Sequence, residues 1–170
     1  MSSSSIPDGA RSEPTAHARL LASAATVATA ESLTGGRLAA ALTAQPGASG
    51  YFLGGVVSYA TAVKMDLLGV PADLVSEHGV VSAACGRAMA EAVRSRLGAT
   101  YGLSTTGVAG PDPQDGIPPG RVYVGCAGPS GTTVVELSLS GDRAAIQEAA
   151  VRGALDLLID SLSGNVGGLG

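Results

Sequence analysis

Thr26-Val-Ala-Thr-Ala-Glu-Ser-Leu-Thr-Gly-Gly-Arg-Leu-Ala-Ala40 is the stretch whose reading decides the fold. It begins as a small, apolar, β-branched run, the pattern of a buried strand. It breaks at Glu31, Ser32, Thr34, Gly35 and Gly36 and resumes as Arg37-Leu-Ala-Ala-Ala-Leu42, which favours helix. A strand that passes through hydroxyls and glycines into a helix exposes the side chain at the turn. The new helix also aims free N–H groups and a partial positive charge at whatever binds there. Ser32 occupies that turn, so the remaining residues are read by asking what converges on it.

Upstream, the first dozen residues are rich in Ser, Pro and Gly and read as a disordered tail at 1–12. A helix is expected over 13–25, a strand over 27–30 and a helix to about residue 44. Gln45-Pro-Gly-Ala-Ser-Gly50 stops it. A second strand is expected over 51–59, a short helix over 61–68 carrying Lys64, and another helical piece over 71–78. Ser82 reads as the N-cap of a long helix through Leu97, with Ala83, Ala84, Ala88, Met89, Ala92 and Val93 on its buried side.

A third strand over 100–106 runs into a loop at 107–120 with four prolines and four glycines, which excludes regular structure. A loop of that length inside a domain points to function or mobility. Strands at 122–127 and 132–139 pair as a hairpin around Gly128-Pro-Ser-Gly131. Gly141-Asp-Arg143 opens a last amphipathic helix with Ile146, Ala150, Ala154, Leu157 and Leu158 on one face. The 164–170 segment reads as a flexible tail, leaving one domain at 13–163. Alternating strands and helices closed by a hairpin predict a three-layer α/β/α fold with a mixed sheet.

Composition narrows the function classes. Hydrophobic residues make up 45% of the 170, yet aromatics only 3%, so the core must be Ala, Val and Leu packed closely. A net charge of −4 without a basic block argues against nucleic-acid binding. No apolar run approaches the roughly 20 residues of a membrane span, and no secretory signal opens the chain. Cys85 and Cys126 read as buried free thiols, which suits a reducing, cytoplasmic setting.

Lys64 is the only lysine among ten basic residues. Arg cannot act as a base, whereas a desolvated Lys becomes a neutral amine near physiological pH. A serine nucleophile needs such a base. His17 and His78 are poorly placed and read as surface or capping residues, which disfavours a Ser-His-Asp triad. A Ser32–Lys64 pair is the alternative, with Tyr59 near enough in sequence to relay a proton. The simpler reading of Tyr59 is a strand tyrosine with its ring in the core. Other loci at strand ends or helix starts are Thr106 with Gly107, and Arg143. Asp112 and Asp115 read as acidic turn residues, and no spacing suggests a metal site.

Ala30-Glu-Ser-Leu-Thr-Gly-Gly36, Pro46-Gly-Ala-Ser-Gly50, Tyr59 with Lys64, Gly79-Val-Val-Ser82, Thr106-Gly-Val-Ala-Gly-Pro111 and Gly141-Asp-Arg143 together resemble the CinA C-terminal domain family. These proteins are also described as nicotinamide-nucleotide amidohydrolases of the PncC type. The resemblance runs in order from about Leu20 to Ser161. It implies an anticodon-binding-domain-like α/β/α fold, and hydrolysis of nicotinamide mononucleotide to nicotinate mononucleotide and ammonia. In that reading Ser32 is the nucleophile, Lys64 its base and Tyr59 a proton-transfer aid. Backbone N–H groups near Thr34, Gly35 and Gly36, or at Gly107, hold the oxyanion. Thr106 binds substrate and Arg143 its 5′-phosphate. No metal or organic cofactor is implied.

Two positions depart from the family pattern. Leu33 stands where a Cys is common, which leaves the Ser32 hydroxyl as the nucleophile. Asp112-Pro-Gln-Asp-Gly-Ile-Pro-Pro-Gly120 replaces a Gly-Gly and a Lys-Pro-Val-Gly. Longer family members carry an additional N-terminal domain, whose activity is not carried over to these 170 residues. A homo-oligomer is expected from the Ala- and Val-rich surface to be covered. The competing expectation is a non-catalytic nucleotide-binding or protein-interaction module linked to competence or DNA damage.

Overall fold

The computed structural model describes residues 15–164. Strands β1 (Val27–Glu31), β2 (Phe52–Val57), β3 (Tyr101–Gly107), β4 (Arg121–Gly128) and β5 (Gly131–Ser138) form one sheet in the order β2-β1-β3-β4-β5. β2, β1 and β3 run parallel, and β4 and β5 continue antiparallel. The helices are α1 (Ala16–Ser23), α2 (Arg37–Thr43), α3 (Thr61–Asp66), α4 (Ala72–His78), α5 (Ala83–Leu97) and α6 (Arg143–Leu162). The mixed three-layer α/β/α arrangement expected from the sequence is the one observed. The tails expected at 1–12 and 164–170 lie outside the described residues, Gly164 excepted.

Two apolar layers hold the sheet. Leu20, Leu38, Leu42, Ile146, Ala150, Ala154 and Leu158 from α1, α2 and α6 pack on Val27, Leu103, Val122, Val124 and Cys126. On the other face Cys85, Met89 and Val93 of α5 pack with Ala28, Ala30, Leu68 and Val70. Alternation along β1 splits Val27 from Ala28 and Ala30, as a strand's period of two requires.

The second layer explains the scarcity of large side chains. A Cβ on Gly102 of β3 would fall 2.2 Å from the Ala90 carbonyl, so α5 lies directly on bare backbone. Ser104 Oγ donates to the Gly86 carbonyl at 2.6 Å at the same contact. This close seat rotates α5 relative to the expected stripe. Its buried residues are Cys85, Gly86, Met89, Ala90 and Val93. Ala83 is exposed and Ala84, Ala88 and Ala92 only half-buried. Gly86 and Ala90 make the closest approach to the sheet, and Ser82 caps the helix through a 3.1 Å bond from the Cys85 N–H.

The expected second strand is also shorter than its pattern. Tyr51 and Tyr59 both fall outside β2. Tyr51 is buried, with its hydroxyl donating to the Leu42 carbonyl at the end of α2 and accepting from His17 Nδ1 at 2.9 Å. Tyr59 is 58% exposed, which overturns the reading of a core ring. The strand has ended by then, and the chain is crossing the top of the sheet toward α3.

Candidate active site

The nucleophile turn is assembled first from backbone. Ser32 follows β1 directly, and its N–H donates to the Thr105 carbonyl on β3 at 3.0 Å. The Gly35 N–H then donates to the Ser32 carbonyl at 3.1 Å. Gly35 and Gly36 take φ of +55° and +98°, a left-handed region that a side chain disfavours. The turn therefore needs this glycine pair.

Glu31 stabilises the turn from beneath. Its carboxylate is 1% exposed and accepts from Thr34 Oγ1 at 2.7 Å, the Leu38 N–H at 2.7 Å and the Ala39 N–H at 3.1 Å. An ionised carboxylate only accepts, so Thr34 must donate to it. Thr105 Oγ1, 2.8 Å from Thr34 Oγ1, therefore donates to Thr34. The charge of Glu31 thus fixes the hydroxyl directions under Ser32.

The same contacts correct one expectation. The N-terminal N–H groups of α2 are occupied by Glu31, and Thr34 is fully buried. Thr34, Gly35 and Gly36 do not line the cavity beside Ser32. Two N–H groups of that helix end are therefore already taken by a carboxylate. The turn's backbone bonds leave the Leu33 N–H without a partner among the described residues, and Leu33 does line the cavity.

Lys64 reaches the turn from α3. Its Nζ lies 3.0 Å from Ser32 Oγ, 2.7 Å from the Ser58 carbonyl and 3.5 Å from the Tyr59 carbonyl. The residue is 2% exposed, and no carboxylate lies within ion-pair distance of it among the described residues. Burial pushes the amine below the ordinary lysine range, against a smaller opposing influence from the neighbouring Cys85 thiol. A neutral amine has two N–H donors and one lone pair. Charged, the amine donates to all three oxygens; in its neutral form the two carbonyls, which can only accept, take the N–H groups and leave the lone pair for the Ser32 hydroxyl. Ser58 is itself fixed, its N–H donating to the Glu31 carbonyl at 2.8 Å.

The cavity in front of this pair has a volume of about 240 Å³. It brings together Ser32, Tyr59, Lys64, Thr106, Gly107 and Arg143, six of the nine residues singled out from the sequence. Thr106 commits its hydroxyl to the Val80 carbonyl at 2.6 Å. Arg143 opens α6, whose N-cap is Asp142. Its guanidinium donates to the Tyr59 hydroxyl at 2.8 Å and the Gly110 carbonyl at 2.7 Å. Tyr59 therefore offers its hydroxyl to Arg143 at the mouth, and only its carbonyl to Lys64.

Asp112, Pro113 and Gln114 of the 107–120 loop complete the wall. Glu31, Cys85 and the Ser58 carbonyl were not singled out from the sequence, nor was Gln147, whose Nε2 donates to the Leu33 carbonyl at 2.8 Å. A polar residue within the apolar stripe of α6 was the available signal for Gln147. Among the described residues no cluster of three or more His, Cys, Asp or Glu side chains could hold a metal ion, and no helix is long and apolar enough to cross a membrane.

A Ser–Lys pair at the carboxyl ends of three parallel strands, in a mixed five-stranded α/β/α domain, defines the class of site. The family follows from comparison: the chain belongs to the CinA C-terminal domain family, whose sequence model matches residues 10–162. It is 54% identical over 145 residues to a CinA-like protein of Frankia casuarinae, covering 85% of this chain and 34% of that one. A CinA-like protein of Solibacter usitatus is 46% identical over 141 residues, covering 82% of this chain and again 34% of the relative. The chain thus spans about a third of the length of these curated relatives. The crystal structure of a competence-damaged protein (CinA) superfamily member from Klebsiella pneumoniae superposes with a TM-score of 0.83 at 33% identity. That match covers 86% of this chain and 92% of that one. One from Escherichia coli gives 0.81 at 30% identity, covering 84% of each.

Proposed function

We propose that this chain is an amidohydrolase that deamidates nicotinamide mononucleotide to nicotinate mononucleotide and ammonia, as a step of pyridine nucleotide salvage. The observation that carries the reading is the buried Lys64 amine at 3.0 Å from Ser32 Oγ. Ser32 Oγ attacks the carboxamide carbon while its proton passes to the Lys64 lone pair. The carbonyl oxygen becomes an oxyanion, held by backbone N–H groups such as that of Leu33. Donors of this kind contribute about 3 kcal/mol each. The tetrahedral intermediate collapses, the C–N bond breaks, and Lys64 returns its proton to the departing ammonia. Water, deprotonated by Lys64, then cleaves the Ser32 ester and releases the carboxylate product.

Arg143 supplies the charge for the 5′-phosphate at the cavity mouth. Tyr59 serves there too, because its hydroxyl is bonded to Arg143 and not to Lys64. Buried Cys85 and Cys126 suit a reducing, cytoplasmic setting in this reading.

The Pro113–Gln114 wall favours a second reading, a module that binds a nucleotide without turnover. Ammonia release from nicotinamide mononucleotide by the purified chain decides between them. Steady release abolished by Ser32→Ala supports the amidohydrolase. Tight binding by calorimetry with no release supports the module.

A further inference from the structure

Gln147 is buried on the sheet-facing side of α6, one turn after Arg143, and is 5% exposed. Its neighbours on that side, Ile146, Ala150 and Val151, are apolar. A buried amide in such surroundings is costly unless it is hydrogen-bonded. Its Nε2 meets the Leu33 carbonyl at 2.8 Å across 114 residues of chain. A carbonyl only accepts, so the donor end of the amide must face it.

Leu33 is the residue after Ser32. The turn already holds the Ser32 carbonyl through the Gly35 N–H, and the Ser32 N–H through the Thr105 carbonyl. The next peptide, Leu33 C=O to Thr34 N–H, has Gln147 as its bond to the rest of the domain among the described residues. A trans peptide is one rigid plane, so pinning its carbonyl toward α6 sets the torsions on both sides of it. The Leu33 N–H belongs to the preceding peptide, whose Ser32 carbonyl Gly35 holds, so the two bonds together fix the backbone on both sides of Leu33, a residue that lines the cavity.

We infer that Gln147 is a positioning residue: by pinning the peptide on the far side of Leu33 it holds the Leu33 backbone, and with it the Leu33 N–H offered to the developing oxyanion, in place. The inference rests on the assignment of Ser32 as nucleophile, not on the identity of the amide substrate. It also gives α6 two tasks on one face. Residues four apart share a helix face, so the first turns of α6 carry Arg143 at the cavity mouth and Gln147 behind the nucleophile. A ligand anion on Arg143 would bear on the same rigid element that holds the Ser32 turn.

The test uses two readouts on the full chain. One is the pre-steady-state burst of p-nitrophenolate from p-nitrophenyl acetate. In that burst Ser32 Oγ forms the acetyl ester, its proton goes to Lys64, and the bond between the acetyl carbonyl carbon and the aryloxy oxygen breaks, so p-nitrophenolate leaves with its oxygen. The other is ammonia release from nicotinamide mononucleotide. Gln147→Met keeps the shape and removes the donor. Gln147→Glu turns an oxygen to the Leu33 carbonyl, and Gln147→Arg restores a planar N–H donor.

Gln147→Met is expected to slow the burst about 10-fold and to lower kcat by a similar factor with KM within about 2-fold, since small misplacements at a reacting centre cost up to about 100-fold. Gln147→Glu should be slow as well, and Gln147→Arg should recover most of the rate. If Gln147→Met fails to fold, the comparison of Gln147→Glu with Gln147→Arg carries the same decision. An unchanged burst in a folded Gln147→Met or Gln147→Glu protein, or a change in KM alone, overturns the inference. A wild-type burst without ammonia release removes the proposed substrate and leaves this inference to be judged on the burst. A wild type without a burst overturns it together with the nucleophile.

Discussion

Lys64 Nζ and Ser32 Oγ stand 3.0 Å apart, joined by no shared element, with the amine on α3 and the hydroxyl at the end of β1. The contact exists because β1 and β2 are parallel neighbours whose carboxyl ends finish side by side. Ser58 continues from β2 and anchors to the Glu31 carbonyl, and α3 then folds back to bring Lys64 in.

A buried amine with a lowered pKa has a definite stability signature. The unfolded chain binds the Lys64 proton up to about pH 10.4, the ordinary lysine value. The folded chain releases it at lower pH. The contribution of Lys64 to stability is therefore full above the unfolded value and declines as pH falls toward the folded one. Lys64→Met should raise the melting temperature at pH 7 and lose that advantage as pH rises toward 10. A variant less stable than wild type at pH 7 in thermal melts contradicts the account.

The same shift predicts the pH dependence of the rate. The neutral amine is the active form, so kcat/KM should rise with pH through the folded pKa of Lys64 and level off below the ordinary lysine range. The measurement is ammonia release across the pH range. A limb that only begins near the ordinary lysine value would mean that burial does not tune the base.

Glu31 accepts three hydrogen bonds, two of them from the first turns of α2. Glu31→Gln sets an amide N–H against at least one of those donors. It should lower stability by about 1–3 kcal/mol, the cost of a buried donor left unpaired. Denaturant unfolding reads this directly. Activity should fall as well, because the Ser32 turn is built on that carboxylate.

Arg143 and Tyr59 separate binding from chemistry. Arg143→Ala should raise KM for the mononucleotide about 10- to 100-fold, as expected for charge-assisted hydrogen bonds. Its effect on nicotinamide riboside, which lacks the phosphate, should be small. Tyr59→Phe removes a bond to Arg143 and leaves the Tyr59 carbonyl facing Lys64. It should change KM more than kcat. A loss confined to kcat would restore Tyr59 to the proton-transfer role its sequence position first suggested.

What was readable in the sequence was local. The strand–turn–helix around Ser32, the capping of α5 by Ser82 and the apolar face of α6 each depend on spacing within a few residues. Lys64 stood out by composition, as the sole lysine. What was hidden depends on contacts between segments. Glu31 closing the start of α2 requires the carboxylate to fold back under its own turn, so a helix end that looks open in sequence is filled. The rotation of α5 follows from Gly102 meeting Ala90 and Gly125 meeting Gly86 across the layers, and no helical period records a sheet with a bare patch. Tyr59 reads as core because it follows an apolar run, yet β2 ends before it.

The most direct measurement of the central claim is ammonia release from nicotinamide mononucleotide by wild type and by Lys64→Arg, side by side. Arg keeps the charge and the length but cannot give up its proton. A general base contributes about 10²- to 10⁴-fold, so the account predicts steady release by the wild type and a loss of that size in a Lys64→Arg protein that still folds. Release by Lys64→Arg at the wild-type rate would contradict the assignment of Lys64 as the base for Ser32.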